Sequence, residues 1–534
     1  MIEHLESRIA PASIVITTSG TGLKVHGATP SDSLGLIINA SSVGGVDVID
    51  PNFNDVLTVN GGTITNPGSG GYLLHFPGAT GDISITGGAT SPGNNLQFGN
   101  ITPGTGIIGG KLTLNLPAGN NIVQMGVANI GGAFLATTGP GNDQIAFTDN
   151  AHIGGVTKLS MGNGTNTVGT AGTSGSLGTL SFGGSFSYIG GTGNDTLGLT
   201  PSSTGNGQTG LSVIGNLNYL PGDGQSLLTL GSTLVNIGGS LTIKEGNNAT
   251  GNTSQVGFSA SSSVSGFSAF DVGGNLTWST GTGGHTLFAS LSSLDIGGKF
   301  SLSQGGNGSV TIQSGISQIG SIKGVVLPAK AGPPATPAGS GQFTFQGAAL
   351  RVANGVSFSG FDSVSLGVTG SIAGSVTVSG ENTFVFGMSN TAIPLEIGGS
   401  LKISPLATGS NATFTLLQNM RVYGSLTFNG AGRSDNVILD SDQVFGSTKI
   451  NLGVGQDAVQ FAQSNNLIAS LYAGATTIDF GADPAAIPDT FSAASGSSLG
   501  IQFLGAVKVL HDDTGDAINI GTGVHFAVPI KATP

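Results

Sequence analysis

Asp435 and Asp457 stand 22 residues apart, each in a turn that opens an alternating apolar run, "SDNVIL" and "QDAVQF". Two carboxylates brought side by side repel unless a cation or water screens them. Calcium takes six to eight oxygen ligands, so this is the pair best placed for calcium, although no metal site is assigned and no cofactor is expected. Near the C-terminus Asp512, Asp513 and Asp516 gather with His511 and His525. Glycoside hydrolysis needs two carboxyl groups across the scissile bond; a solvated turn accounts for the same residues, and no catalytic residue is assigned. The seven His residues never fall at metal-ligand spacing. No P-loop occurs. Trp278, the sole Trp, could stack on a sugar. It aligns with Ile243, Leu302 and Ile403 of a repeat, however, and is expected inside.

That repeat must position every one of these residues. "IGGKLTL" begins at Ile108, "FGGSFSY" at Phe182, "IGGSLTI" at Ile237, "VGGNLTW" at Val272, "IGGKFSL" at Ile296, "IAGSVTV" at Ile372, "IGGSLKI" at Ile397 and "VYGSLTF" at Val422. With weaker copies included, the base period is 22 to 25 residues, interrupted by insertions. Within each copy apolar residues fall two apart, as at Leu112 and Leu114 or Leu401 and Ile403, which means strands with one buried face. About three short strands separated by Gly turns fill one unit. Such a unit cannot fold alone, but stacked copies bury a continuous interior. The expected fold is all-β: an elongated parallel β-helix, or solenoid, of about twenty coils, on the order of 90 to 100 Å long. A string of β-sandwiches would instead recur near every ~100 residues.

The expected organisation is an N-terminal cap with irregular first coils (1–100), a first β-helical block (101–327), a Pro/Gly-rich loop or linker (328–341) and a second block (342–534). Further loops are expected at 200–210 and 259–266. Only 8% of residues are charged, yet no run of eighteen apolar residues occurs, so no transmembrane segment is expected. Net charge is −12, and the 15 Lys and Arg are scattered singly along the chain. No basic stripe is visible, so nucleic acid is not an expected partner. There is no Cys.

"GGTGNDTLG", Gly190 to Gly198, resembles the calcium-binding nonapeptide of secreted RTX-type β-rolls. That family stacks nonapeptides in immediate succession, whereas here the match comes once per coil. Aligned turns place Asp143, Asn166, Asp195, His285, Asn382, Asp457 and Asp516 at one position. Asp, Asn and His are enriched at positive φ, so a left-handed corner residue is expected there. "LESRIAPA", Leu5 to Ala12, resembles the element near the N-terminus of β-strand-repeat exported and surface proteins of planctomycete and verrucomicrobial bacteria. The resemblance implies export. The arginine-rich stretch that usually precedes the element is missing, so a truncated or misassigned start is expected, and no export signal is visible. "DTGDAINIGTG", from Asp513, resembles the aspartate-bearing strand of polygalacturonases, but only Asp516 stands where that family has two adjacent aspartates.

The expected function is therefore a non-catalytic, exported or cell-surface structural protein of adhesin-like character, outside the cell or on its surface. Cell-surface or extracellular polysaccharide or protein is the partner class open to it. The alternatives are a pectin-lyase-like polysaccharide lyase or hydrolase, and a calcium-stabilised RTX-like surface protein.

Overall fold

The computed structural model describes residues 13–533 except 41–45, 52–55, 61–62, 66–71, 78–80, 91, 99–106, 127–128, 149, 172–177, 202–209, 250–251, 260–268, 327–340, 389–390, 406–412, 431, 465–467, 482–487 and 511–514. The "LESRIAPA" element, nearly all of the Pro-rich segment and most of the two Ser/Gly loops therefore lie outside the described residues. The chain divides into two compact units, Met1–Val272 and Gly273–Pro534. No helix occurs among the described residues. The fold is a parallel β-helix.

In the first unit, Leu112–Leu116, Ile122–Met125 and Asn129–Ile130 make one coil of three strands. Each pairs in parallel with its counterpart one coil later, in the registers Leu112↔Phe134, Val123↔Ile145 and Ile130↔Ile153. The first strands then continue through Thr157, Phe186, Leu217 and Leu241. Period-two alternation is why these residues form strands: Leu112, Leu114 and Leu116 are buried while Asn115 between them faces out. Inward-facing rings of all three sheets then meet across the interior: Phe134, Phe147, Phe182 and Phe186 pack edge to face, with ring centroids 4.8 to 6.0 Å apart.

The N-terminal strands break the parallel rule. Ser13–Ser19 runs antiparallel to Gly22–Gly27, and Val46–Asp50 runs antiparallel to both Gly35–Ala40 and Tyr72–Phe76. Gly22–Gly27 and Gly35–Ala40 also pair in parallel with Ile83–Thr86 and Asn95–Phe98. Hairpins thus occupy strand edges that a parallel ladder would leave unpaired.

The second unit repeats the three sheets. Gly284–Gln304 is a single 21-residue strand that pairs with Gly308–Val326 through one slip between Ile296 and Lys299, so the chain turns a corner without leaving the ladder. Trp278 sits opposite Leu302 and is fully buried, as the alignment of repeats predicts.

The corners differ from expectation. Asp143, Asn166, Asp195, His285, Asp457 and Asp516 do not take positive φ, and Asn382 lies inside the strand Val376–Gly387. The glycine two places earlier turns instead, as at Gly164 (φ 137°) and Gly193 (φ 136°). That leaves the Asx residue free to begin the next strand and point inward. Among the described residues the left-handed non-glycines are Asn150, Asn419 and Ser441, all at the corner after the second strand.

Candidate functional site

The turn residues that could do chemistry form a ladder inside the coils. Asn121 accepts both the main-chain N–H (3.1 Å) and the side-chain amide (2.7 Å) of Asn94 on Oδ1. Asp143 Oδ1 receives the same pair from Asn121, at 2.9 and 2.7 Å. Asp143 N–H donates to Asn166 Oδ1 at 3.2 Å, and the Asn166 amide donates to Asp195 Oδ1 at 2.9 Å. All five side chains are buried. A buried N–H that lacks an acceptor costs about 1–3 kcal/mol, and the next coil supplies that acceptor here.

An outer column does the converse. Asn120 Oδ1 accepts the N–H of Asn142, Asn142 Oδ1 that of Thr165, and Asn194 Oδ1 that of Gln225. The nonapeptide resolves accordingly: Gly193 turns, Asn194 binds the following coil from outside, and Asp195 binds the preceding coil from inside.

Asp435 and Asp457 are brought to adjacent coils, as their spacing predicts. Asp435 N–H donates to Asp457 Oδ1 at 2.7 Å, Asp457 N–H to Asp489 Oδ1 at 2.7 Å, and Asp489 N–H to Asp516 Oδ1 at 3.0 Å. Asp489 was not legible as a member because it follows Asp457 by a 32-residue step, outside the base period of the repeat. The carboxylates of Asp457, Asp489 and Asp516 each accept a charge-assisted bond. Among the described residues, no three His, Cys, Asp or Glu side chains gather as a metal group would need. Asp516 belongs to this ladder; His511, Asp512 and Asp513 lie outside the described residues. His525 is exposed and His285 buried.

Two of the buried acids hold their protons more tightly than usual. Burial pushes the Asp195 carboxyl up to about 6, against the opposing hydrogen bond from Asn166. Burial also raises Asp442 well above the usual range; the bond from Met420 N–H opposes this and the nearby Asp440 carboxylate adds to it. For Asp195 the stability is full below the ordinary carboxylate pKa of about 3.9 and is lost as pH rises through about 6. Asp195→Asn keeps the acceptor for Asn166 and removes the charge. It is expected to raise Tm at pH 7.5, by roughly 2–4 °C per kcal/mol relieved, and to leave Tm unchanged at pH 3.5. Thermal melts of both proteins across pH 3.5 to 8 measure it; an equal gain at every pH would show that ionisation of Asp195 is not the cause.

One outer face of the second unit has a composition of its own. Parallel register places Ser301, Lys323, Ser357, Thr377, Lys402, Thr427, Lys449, Thr477, Lys508 and Lys531 in one column of the first-strand sheet. Five of the chain's 15 Lys and Arg thus line up, all exposed. The residues look scattered in sequence because insertions make their spacing irregular, and the expectation of no basic stripe fails for that reason. Hydroxyl and amide groups flank the column: Ser375 and Ser400 accept main-chain bonds from the next coil, Ser425 Oγ meets Ser447 Oγ at 3.0 Å, and the Asn451 amide donates to Asn429 Oδ1 at 2.9 Å.

Across the corner that precedes this sheet, Tyr423 and Phe445 stack in parallel, with centroids 5.3 Å apart and planes 10° apart. They are 48% and 40% exposed, which separates them from the buried ring ladder. Arg421, two residues before Tyr423, donates to Glu396 Oε1 at 2.6 Å and to Gln443 Oε1 at 2.9 Å. A surface groove of about 650 Å3 lies elsewhere, lined by Gln346, Thr369, Met388, Thr391 and Ile393 among others, with no carboxylate among the described residues of its lining.

No family model, curated protein or solved structure matches the chain.

Proposed function

We propose that the chain is a non-catalytic, exported or cell-surface structural protein of the kind suggested by its likeness to planctomycete and verrucomicrobial β-strand-repeat proteins, a rigid β-helix whose outer faces meet other surfaces. The observation that carries this reading is the role of the turn acids: Asp143, Asp195, Asp457, Asp489 and Asp516 each accept a bond from the preceding coil. Acids held in this way maintain the stack rather than face one another across a substrate. Repeating outer columns of Ser, Thr, Asn and Lys give such a protein a polar surface of constant pitch.

Protease treatment of intact cells, followed by detection of the chain, tests location: digestion without lysis is expected, and full protection inside intact cells overturns the surface reading. Purified protein incubated with acidic and neutral polysaccharides tests the absence of catalysis. Reducing ends or unsaturated products that disappear on Asp516→Ala would replace this reading with that of a polysaccharide-degrading enzyme.

A further inference from the structure

We propose that the outer face of the first-strand sheet in the Gly273–Pro534 unit binds an acidic polysaccharide laid along the column Lys402, Lys449 and Lys508, with a sugar ring packed on the Tyr423–Phe445 shelf. This rests on the extracellular reading, because it names the partner that a surface protein would meet. The charge argument comes first. The protein is acidic, at −12, yet this column holds five cations and no acid. None of the five lysines makes an ion pair among the described residues. The neighbouring acid Asp479 is engaged by the N–H of Gly481. An unpaired basic column on an acidic body attracts an anion locally while repelling it elsewhere.

Spacing then selects the kind of anion. Lys402, Lys449 and Lys508 recur at every second coil, with Thr427 and Thr477 between them. Two strand spacings separate their backbones by about 9.6 Å. Duplex DNA carries one charge per about 1.7 Å, far denser than this column can neutralise. A glycan in which charged and neutral sugars alternate has sparse charge of the matching kind. Its hydroxyls also match Thr427, Thr477 and the Ser425–Ser447 pair, which donate and accept. The exposed shelf completes the match, since an aromatic face packs against the apolar face of a pyranose while its polar edges stay solvated.

The test uses the purified full chain and calorimetric titration with hyaluronan, in which uronate and neutral sugar alternate, alongside alginate, neutral dextran and single-stranded DNA. Hyaluronan is expected to bind and dextran not to, with affinity falling as salt rises. Lys402→Glu/Lys449→Glu/Lys508→Glu is expected to weaken hyaluronan binding at least tenfold while Tm stays at the parent value, since all three side chains are exposed. Tyr423→Ser/Phe445→Ser is expected to weaken it severalfold at both low and high salt. Undiminished binding by the lysine variant, equal binding of dextran, or tighter binding of DNA than of hyaluronan overturns the proposal. The titration is independent of location: an intracellular protein that binds hyaluronan sinks the surface reading alone, and a surface protein that ignores hyaluronan and alginate sinks this one alone.

Discussion

A chain carrying Trp278→Asp is expected to be recovered unfolded or aggregated. Trp278 is fully buried, the largest side chain in the interior, and opposite Leu302 in the ladder. Emptying such a site costs about 3–5 kcal/mol even with alanine. Aspartate adds an unpaired charge among apolar side chains, a further penalty of several kcal/mol. Domains are stable by only about 5–15 kcal/mol, so the combined loss is of the order of the whole. Trp278→Phe keeps an apolar ring and is expected to fold with a lower Tm. Far-ultraviolet circular dichroism and size-exclusion chromatography of the two variants decide the matter. An aspartate variant that melts with the parent would place the ring outside the core.

Gly193→Val is expected to have a smaller but still large effect, through the backbone. Gly193 turns at φ 136°, where a β-branched residue is strained. An added Cβ would also fall within contact distance of the Gly164 carbonyl oxygen on the preceding coil, an atom held by the backbone. Strain and overpacking each cost about 1–3 kcal/mol, and the coil cannot move away without breaking its own ladder. The neighbouring Asn194→Ala loses one exposed bond to Gln225 N–H and is expected to cost about 1 kcal/mol. Urea unfolding of the two proteins compares them. A valine variant no weaker than the alanine variant would mean that the turn relaxes freely.

The fold was legible because its signal is repeated. Alternation two apart within "IGGKLTL" and its relatives, recurring near 22 to 25 residues, admits parallel strands stacked coil on coil, and the registers Leu112↔Phe134 and Leu401↔Leu426 follow that alignment. The inward position of Trp278 was legible for the same reason. The side-chain chemistry at the turns was less so. Positive φ and an inward-facing Asx side chain both select Asp and Asn, so composition at one position could not separate them, and the glycine two places earlier was obscured in a chain of 95 glycines. Lys402, Lys449 and Lys508 lie 47 and 59 residues apart in sequence, so only the register that absorbs each insertion brings them into line. Asp489 was hidden by the same irregularity.

The inner ladder has a direction. From Asn94 to Asn166 and again from Asp435 to Asp516, the buried main-chain N–H of one coil is met by a side chain of the coil that follows it in sequence, whereas the outer column offers acceptors forward, from Asn120, Asn142 and Asn194 to the coil still to come. Where coils add in order from the N-terminal end, each added coil therefore finds its outer acceptor already in place, while its own interior N–H waits on the coil after it. The growing edge keeps an unmet interior N–H until one more coil is laid down, so the stack is sealed from the C-terminal side of each coil.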